Sequence, residues 1–112
     1  MKKLAIDEKI ELAKQGKNLD VLVKDPSPIV RLFVLDNKRD VDLDILVNDE
    51  NPFLRLNVAI VGRDKDLDVL VKDEDFTVVL EVLKHKRKKD IDFLKKNSDD
   101  FIIQSKLRKL NV

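Results

Sequence analysis

Residues 19–42 read LDVLVKDPSPIVRLFVLDNKRDVD, residues 43–66 LDILVNDENPFLRLNVAIVGRDKD, residues 67–90 LDVLVKDEDFTVVLEVLKHKRKKD and residues 91–112 IDFLKKNSDDFIIQSKLRKLNV. They align without a gap at a spacing of 24 residues. Leu22, Leu46, Leu70 and Leu94 form one column, Asp20, Asp44, Asp68 and Asp92 a second, and Val30, Leu54, Val78 and Ile102 a third. A period of this length marks a repeat architecture, in which a unit too small to bury its own apolar face buries it against its neighbours.

Each unit holds a short apolar segment and a longer one. In the short segment Leu19, Leu22 and Val23 and their counterparts follow the three-and-four spacing of a helical stripe. Asn18, Asp42, Asp66 and Asp90 stand just ahead and are expected to cap it, with Asp20 and its equivalents facing the positive helix end. The longer segment opens at Ser27-Pro28, Asn51-Pro52, Asp75-Phe76 and Asp99-Asp100, where a capping side chain and a proline of fixed φ favour helix entry. It continues as IVRLFVLD, FLRLNVAIV, TVVLEVLK and FIIQSKL, apolar on more than one side and in need of cover on both flanks. The alternation Asp40-Val41-Asp42-Leu43-Asp44-Ile45 also fits a half-buried strand, as in a β/α leucine-rich horseshoe. Against it, Asp forms strands poorly and the alternation breaks at Ile45-Leu46. An excess of Asp over Glu, 17 to 5, agrees with many helix starts, because Asp is favoured at caps and Glu in helix interiors.

The 112-residue chain is the size of one domain, and its 44 Leu, Val, Ile and Phe residues suffice for a core. Charged residues make up 40%, yet the net charge is +1, so no global field favours nucleic acid or an anionic membrane. The absence of cysteine excludes disulfides, thiolate metal sites and cysteine nucleophiles. No apolar run approaches the length of a membrane span, and Asp7 and Glu8 interrupt the opening MKKLAIDEKIEL where a signal peptide is uncharged. A cytoplasmic protein without a membrane partner is expected.

At Asp25-Pro26-Ser27-Pro28-Ile29-Val30-Arg31 and Asp49-Glu50-Asn51-Pro52-Phe53-Leu54-Arg55 the chain resembles the leucine-rich repeat variant family, a relative of HEAT repeats. The resemblance weakens at residues 73–79, where proline and arginine are missing and Val79 occupies the arginine column. It implies an all-α fold: a right-handed α-solenoid of about four 24-residue repeats, each pairing a short 3₁₀-type or α-helix with an α-helix. The expected organisation is a single repeat domain over 1–112, with an N-terminal capping helix in 1–17, repeats at 18–41, 42–65 and 66–89, and a C-terminal capping repeat at 90–112. The capping helix spans Leu4 to Gln15, with Ile6, Ile10 and Ala13 on its apolar face and Gly16 at its end. Lys95, Lys96, Gln104, Ser105, Arg108 and Lys109 give the last unit a polar flank. Some members of the family carry an iron-sulfur cluster on a cysteine-bearing segment; without cysteine that chemistry does not carry over.

No constellation of catalytic residues stands out, and an enzyme is not expected. Asp40-x-Asp42-x-Asp44 and Asp64-x-Asp66-x-Asp68 resemble the start of a calcium loop, but Ile45 and Val69 replace the required glycine, and Asn51 and Asp75 the closing Glu. His85 is the sole histidine and has no partner at metal-ligand spacing, so neither a metal nor another cofactor is expected. Ser27, Ser98 and Ser105 lack a nucleophile context, and Gly16 and Gly62 cannot make a phosphate-cradling loop. Arg31 and Arg55, one turn into their helices, are expected to pair with Asp within or between units.

Function is expected in the surface of the stack, as a protein-interaction or scaffold module with an unidentified protein partner. Two columns are candidates: Ile29, Phe53, Thr77 and Phe101, and Phe33, Asn57, Glu81 and Ser105. The runner-up is binding of phosphate or nucleic acid by Arg39, Arg63, Lys84, Lys86, Arg87, Lys88 and Lys89. Cations at helix C-termini and a lack of Trp and Tyr for base stacking count against it.

Overall fold

The computed structural model describes residues 3–110; the outermost residues of the expected segments 1–17 and 90–112 lie outside the described residues. Among the described residues the structure is helical, without strands: α1 (Ile6–Lys14), α2 (Leu19–Leu22), α3 (Pro28–Leu35), α4 (Asp40–Leu46), α5 (Pro52–Val61), α6 (Asp64–Leu70), α7 (Phe76–Leu83), α8 (Lys88–Asn97) and α9 (Phe101–Lys109). The alternating stretch from Asp40 to Ile45 is helical, so the strand alternative falls. The chain divides into two compact units, Met1–Val58 and Ala59–Val112, with the division inside α5.

α3, α5 and α7 start at the expected residues, although the Ser27 side chain makes no capping hydrogen bond. Pro28 and Pro52 open α3 and α5. The Asn51 side-chain oxygen accepts from the Phe53 N–H at 2.8 Å, and the Asp75 carboxylate from the Thr77 N–H at 2.9 Å. Two residues upstream, Asp25, Asp49 and Asp73 accept from the N–H groups of Ser27, Asn51 and Asp75 at 2.9 to 3.0 Å. Each closes an Asx turn that aims the chain into the next helix. The exits of α3, α5 and α7 carry left-handed residues Lys38, Gly62 and Lys86, again 24 apart. Gly16 plays this part after α1, where the Lys17 N–H reaches the Leu12 carbonyl at 2.9 Å in a Schellman closure.

The core follows the columns. Leu22, Leu46, Leu70 and Leu94 are at most 4% exposed, and Val30, Leu54 and Val78 are fully buried. In the first unit α1 packs mainly on α3 and more lightly on α2, and α3 also packs on α2 and α4. In the second unit α7 packs on α6, α8 and α9, and α8 on α9.

Two expectations need correction. Asp42, Asp66 and Asp90 do not cap the short helices: α4, α6 and α8 begin three residues earlier than such caps imply, with Arg39, Arg63 and Arg87 at the cap positions. These carboxylates are buried in the first turn, where their own arginines neutralise them, so Asp44 and Asp68 fall mid-helix rather than at a positive end. Only α2 starts at the expected place, after Asn18, because left-handed Gly16 and Asn18 interrupt the turn that Arg39 begins elsewhere. The short segments are α-helical, one of the two forms expected; i→i+3 bonds appear at both their ends, from Asp42 to Arg39 and Asp66 to Arg63 at the starts and from Asp49 to Leu46 and Asp73 to Leu70 at the exits.

The last unit slips. The basic residues Lys95 and Lys96 extend α8 to Asn97, so Asp100 rather than Asp99 caps α9, accepting from the Ile102 and Ile103 N–H groups at 2.9 and 3.0 Å. Ile103 and Leu107 are buried, whereas Ile102 is 45% exposed and leaves the column that Val78 fills. At the other end Ala13 is buried, but Ile6 is exposed and does not share in the apolar face of α1.

Candidate functional site

The cationic candidates are part of a structural lattice. Arg39 donates from Nε and Nη2 to both Asp42 carboxylate oxygens at 2.8 Å, and from Nη2 to Asp20 at 2.7 Å. Arg63 makes the same fork with Asp66, at 2.7 and 3.0 Å. Arg87 forks onto Asp90 at 2.8 and 2.9 Å, and its remaining N–H groups meet the Asp64 carbonyl and carboxylate at 2.9 and 3.3 Å and the Asp68 carboxylate. All five of its donors are spent. Such charge-assisted forks are the strong kind of ion pair, and they satisfy the buried carboxylates. The Asp42 carboxylate, then Asp20, pushes the Arg39 guanidinium above its ordinary value, and Asp90 does the same for Arg87 against its desolvation. The Lys89 ammonium, then Arg87, holds the Asp68 carboxyl below the usual range.

The lysines of the cluster are mostly paired too: Lys84 with Glu81 at 2.9 Å, Lys88 with Asp92 at 2.7 Å and Lys89 with Asp68 at 2.7 Å. Lys86 is exposed and has no such partner among the described residues. His85 spends its Nε2 on the Ala59 carbonyl at 2.7 Å, with its ring against Gly62. The calcium-like strings dissolve in the same lattice. Asp42 and Asp66 turn inward to arginine while Asp64 and Asp68 reach Arg87, so the carboxylates serve guanidinium groups instead of converging on a cation.

Arg31 carries a second set of bonds. It lies buried and forks onto Asp49 at 2.8 and 3.1 Å, while Nη1 donates to the carbonyls of Asp25 and Pro26 at 2.7 and 3.2 Å. Arg55 repeats the backbone part, donating to Asp49 and Glu50 at 2.7 and 3.3 Å. Each arginine thus ties the turn before its helix, and Arg31 also reaches the turn of the next repeat. Asp25 takes the Lys9 ammonium at 2.8 Å. Burial, the largest single influence on Asp25, pushes its carboxyl up, but Lys9 and the Ser27 N–H overcome it and hold the group low.

The apolar candidates divide. Ile29 is 48% exposed, Phe53 53% and Phe101 79%, and Thr77 is also exposed. Phe33, Asn57, Glu81 and Ser105 are half-buried; the Lys14 ammonium sits 5.4 Å from the Phe33 ring centre, and the Asn57 amide donates to the Phe53 carbonyl at 2.8 Å. A further exposed column, Val21, Ile45 and Val69, escaped sequence reading. Its signal is an apolar residue off the Leu22 stripe, recurring at the same place in successive short helices.

Among the described residues no helix is long and apolar enough to cross a membrane. Compared with protein-family models, curated proteins and solved structures, the chain matches none.

Proposed function

We propose that the chain is a right-handed α-solenoid of the leucine-rich repeat variant type and acts as a non-catalytic protein-interaction or scaffold module in the cytoplasm. The 24-residue recurrence of helix entries, left-handed exits, buried leucines and Arg–Asp forks supports the repeat reading. One observation carries the function: large apolar side chains recur exposed at fixed repeat positions, while the cations that could hold phosphate are, apart from Lys86, engaged by carboxylates. Isolated exposed hydrophobics are ordinary, but recurring ones mark contact surfaces.

The test combines two measurements. Affinity capture with the wild-type chain is expected to retain a protein that Ile29→Asp with Phe53→Asp no longer retains, while charge reversal at Lys86 and Lys88 leaves capture intact. Fluorescence anisotropy with labelled single- and double-stranded oligonucleotides is expected to show no binding at low or moderate salt. Salt-sensitive oligonucleotide binding that falls on reversing Lys86 and Lys88 would replace this reading with the phosphate-binding one.

A further inference from the structure

Val79 stands where Arg31 and Arg55 stand in the preceding repeats, and the change leaves a space. In the first repeat the Arg31 guanidinium bridges the turn between α2 and α3, at Asp25 and Pro26, to Asp49 in the turn after α4. The corresponding turns of the second compact unit run through Asp73 and Glu74 and through Asn97 to Asp100. Between them lies an open cavity of ≈ 310 Å³, with Val79 at its apolar base. Asn97 occupies the column of Asp49, so arginine and its carboxylate partner have changed together; the Asn97 amide turns back to the Phe93 carbonyl at 2.8 Å.

We propose that this cavity is a binding site for a guanidinium group, supplied by an arginine side chain of a partner peptide. It takes from outside what Arg31 supplies from within. Three features of the lining fit that ligand. Asp73, Glu74, Asp99 and Asp100 line the cavity against a single ammonium residue, Lys72, so the wall is net negative; Asp73 and Asp100 also accept backbone N–H groups, while Glu74 and Asp99 are exposed. Phe76 and Phe93 add aromatic faces, and the Phe93 ring already holds the Lys72 ammonium 5.6 Å from its centre, a cation-binding geometry. The Asp73–Glu74 turn occupies the place of the turns whose carbonyls receive a guanidinium at Asp25 and Pro26 and at Asp49 and Glu50, whereas in the second turn the Ser98 carbonyl accepts from the Gln104 amide. A planar fork that donates to carbonyls and carboxylates while stacking on an aromatic ring distinguishes arginine from lysine. The site rests on the protein-interaction reading and gives the partner a chemistry.

The probe is the peptide Ac-Gly-Arg-Gly-NH2, titrated into the full-length ¹⁵N-labelled chain, with the lysine and citrulline peptides in parallel. Saturable shifts are expected in amides of Val71–Phe76 and Phe93–Ile103 with the arginine peptide only. Val79→Arg with Asn97→Asp, which rebuilds the Arg31–Asp49 pair and fills the cavity from within, is expected to abolish them. Glu74→Gln with Asp99→Asn alters two exposed side chains without touching the fold, and is expected to weaken binding about fivefold. Absence of shifts, equal response to lysine, or undiminished affinity in the Glu74/Asp99 variant would overturn the proposal. Such a failure leaves partner capture intact, whereas failure of the interaction reading shows as oligonucleotide binding.

Discussion

Two aspartates two residues apart do different work. Asp66 is buried under the Arg63 fork, whereas Asp68 is exposed and answers Arg87 and Lys89. Removing the Asp66 carboxylate leaves a guanidinium without its main partner, so Asp66→Ala is expected to cost about 2 kcal/mol in urea unfolding. Asp68→Ala, at a solvated pair, should stay within about 0.5 kcal/mol of wild type. The contrast is partly legible in sequence, since arginine and aspartate both recur at period 24, the aspartate three positions after the arginine. Which member of the Asp-x-Asp-x-Asp string turns inward is not legible, because it depends on where the helix begins. Asp25 is a separate case, because its pKa is lowered in the folded chain. A lowered carboxyl contributes stability above the unfolded value of about 4 and loses it as pH falls through the folded value. Asp25→Asn is therefore expected to destabilise at pH 7 by about 1 kcal/mol, with the difference from wild type vanishing in strong acid. Chemical denaturation at a series of pH values checks both sign and window.

At the scale of the element, the entries of α3, α5 and α7 are legible in sequence and those of α4, α6 and α8 are not. Pro28, Pro52 and Asp75 announce α3, α5 and α7 through local chemistry that tertiary contacts do not override. The starts of α4, α6 and α8 differ from those that Asp42, Asp66 and Asp90 suggest as caps, because these carboxylates turn inward to an ion pair and leave Arg39, Arg63 and Arg87 as the flanking residues. The left-handed exits are legible only at Gly62; lysine fills the same position at 38 and 86 despite its Cβ. Lys38→Gly is accordingly expected to raise stability by about 0.5 kcal/mol, since the relief of strain exceeds the added freedom of the unfolded chain. Asp100→Ala removes an acceptor for two N–H groups at the start of α9 and is expected to cost about 1 kcal/mol, with helical signal lost first from the last helix. Thermal melts followed by circular dichroism measure both.

For the whole molecule, the period predicted the helical class and the buried leucine columns, because a 24-residue register survives any local error in placing a cap. The candidate surface is less legible in sequence. The column of Ile29, Phe53 and Phe101 is exposed as expected, but Val21, Ile45 and Val69 join it, and exposure depends on packing partners that a single repeat does not reveal. The loss of Arg at position 79 was visible as a letter; the cavity it leaves was not, since its other wall comes from residues 93–103. The underlying claim is that the units are interchangeable modules. Deleting residues 43–66 removes one full period and joins Asp42 to Leu67 in register. The shortened chain is predicted to keep its helical ellipticity per residue and a cooperative melt at a lower Tm, because the joined segments carry the same column residues in register. A chain that instead gives a random-coil spectrum with no cooperative transition would contradict the modular account.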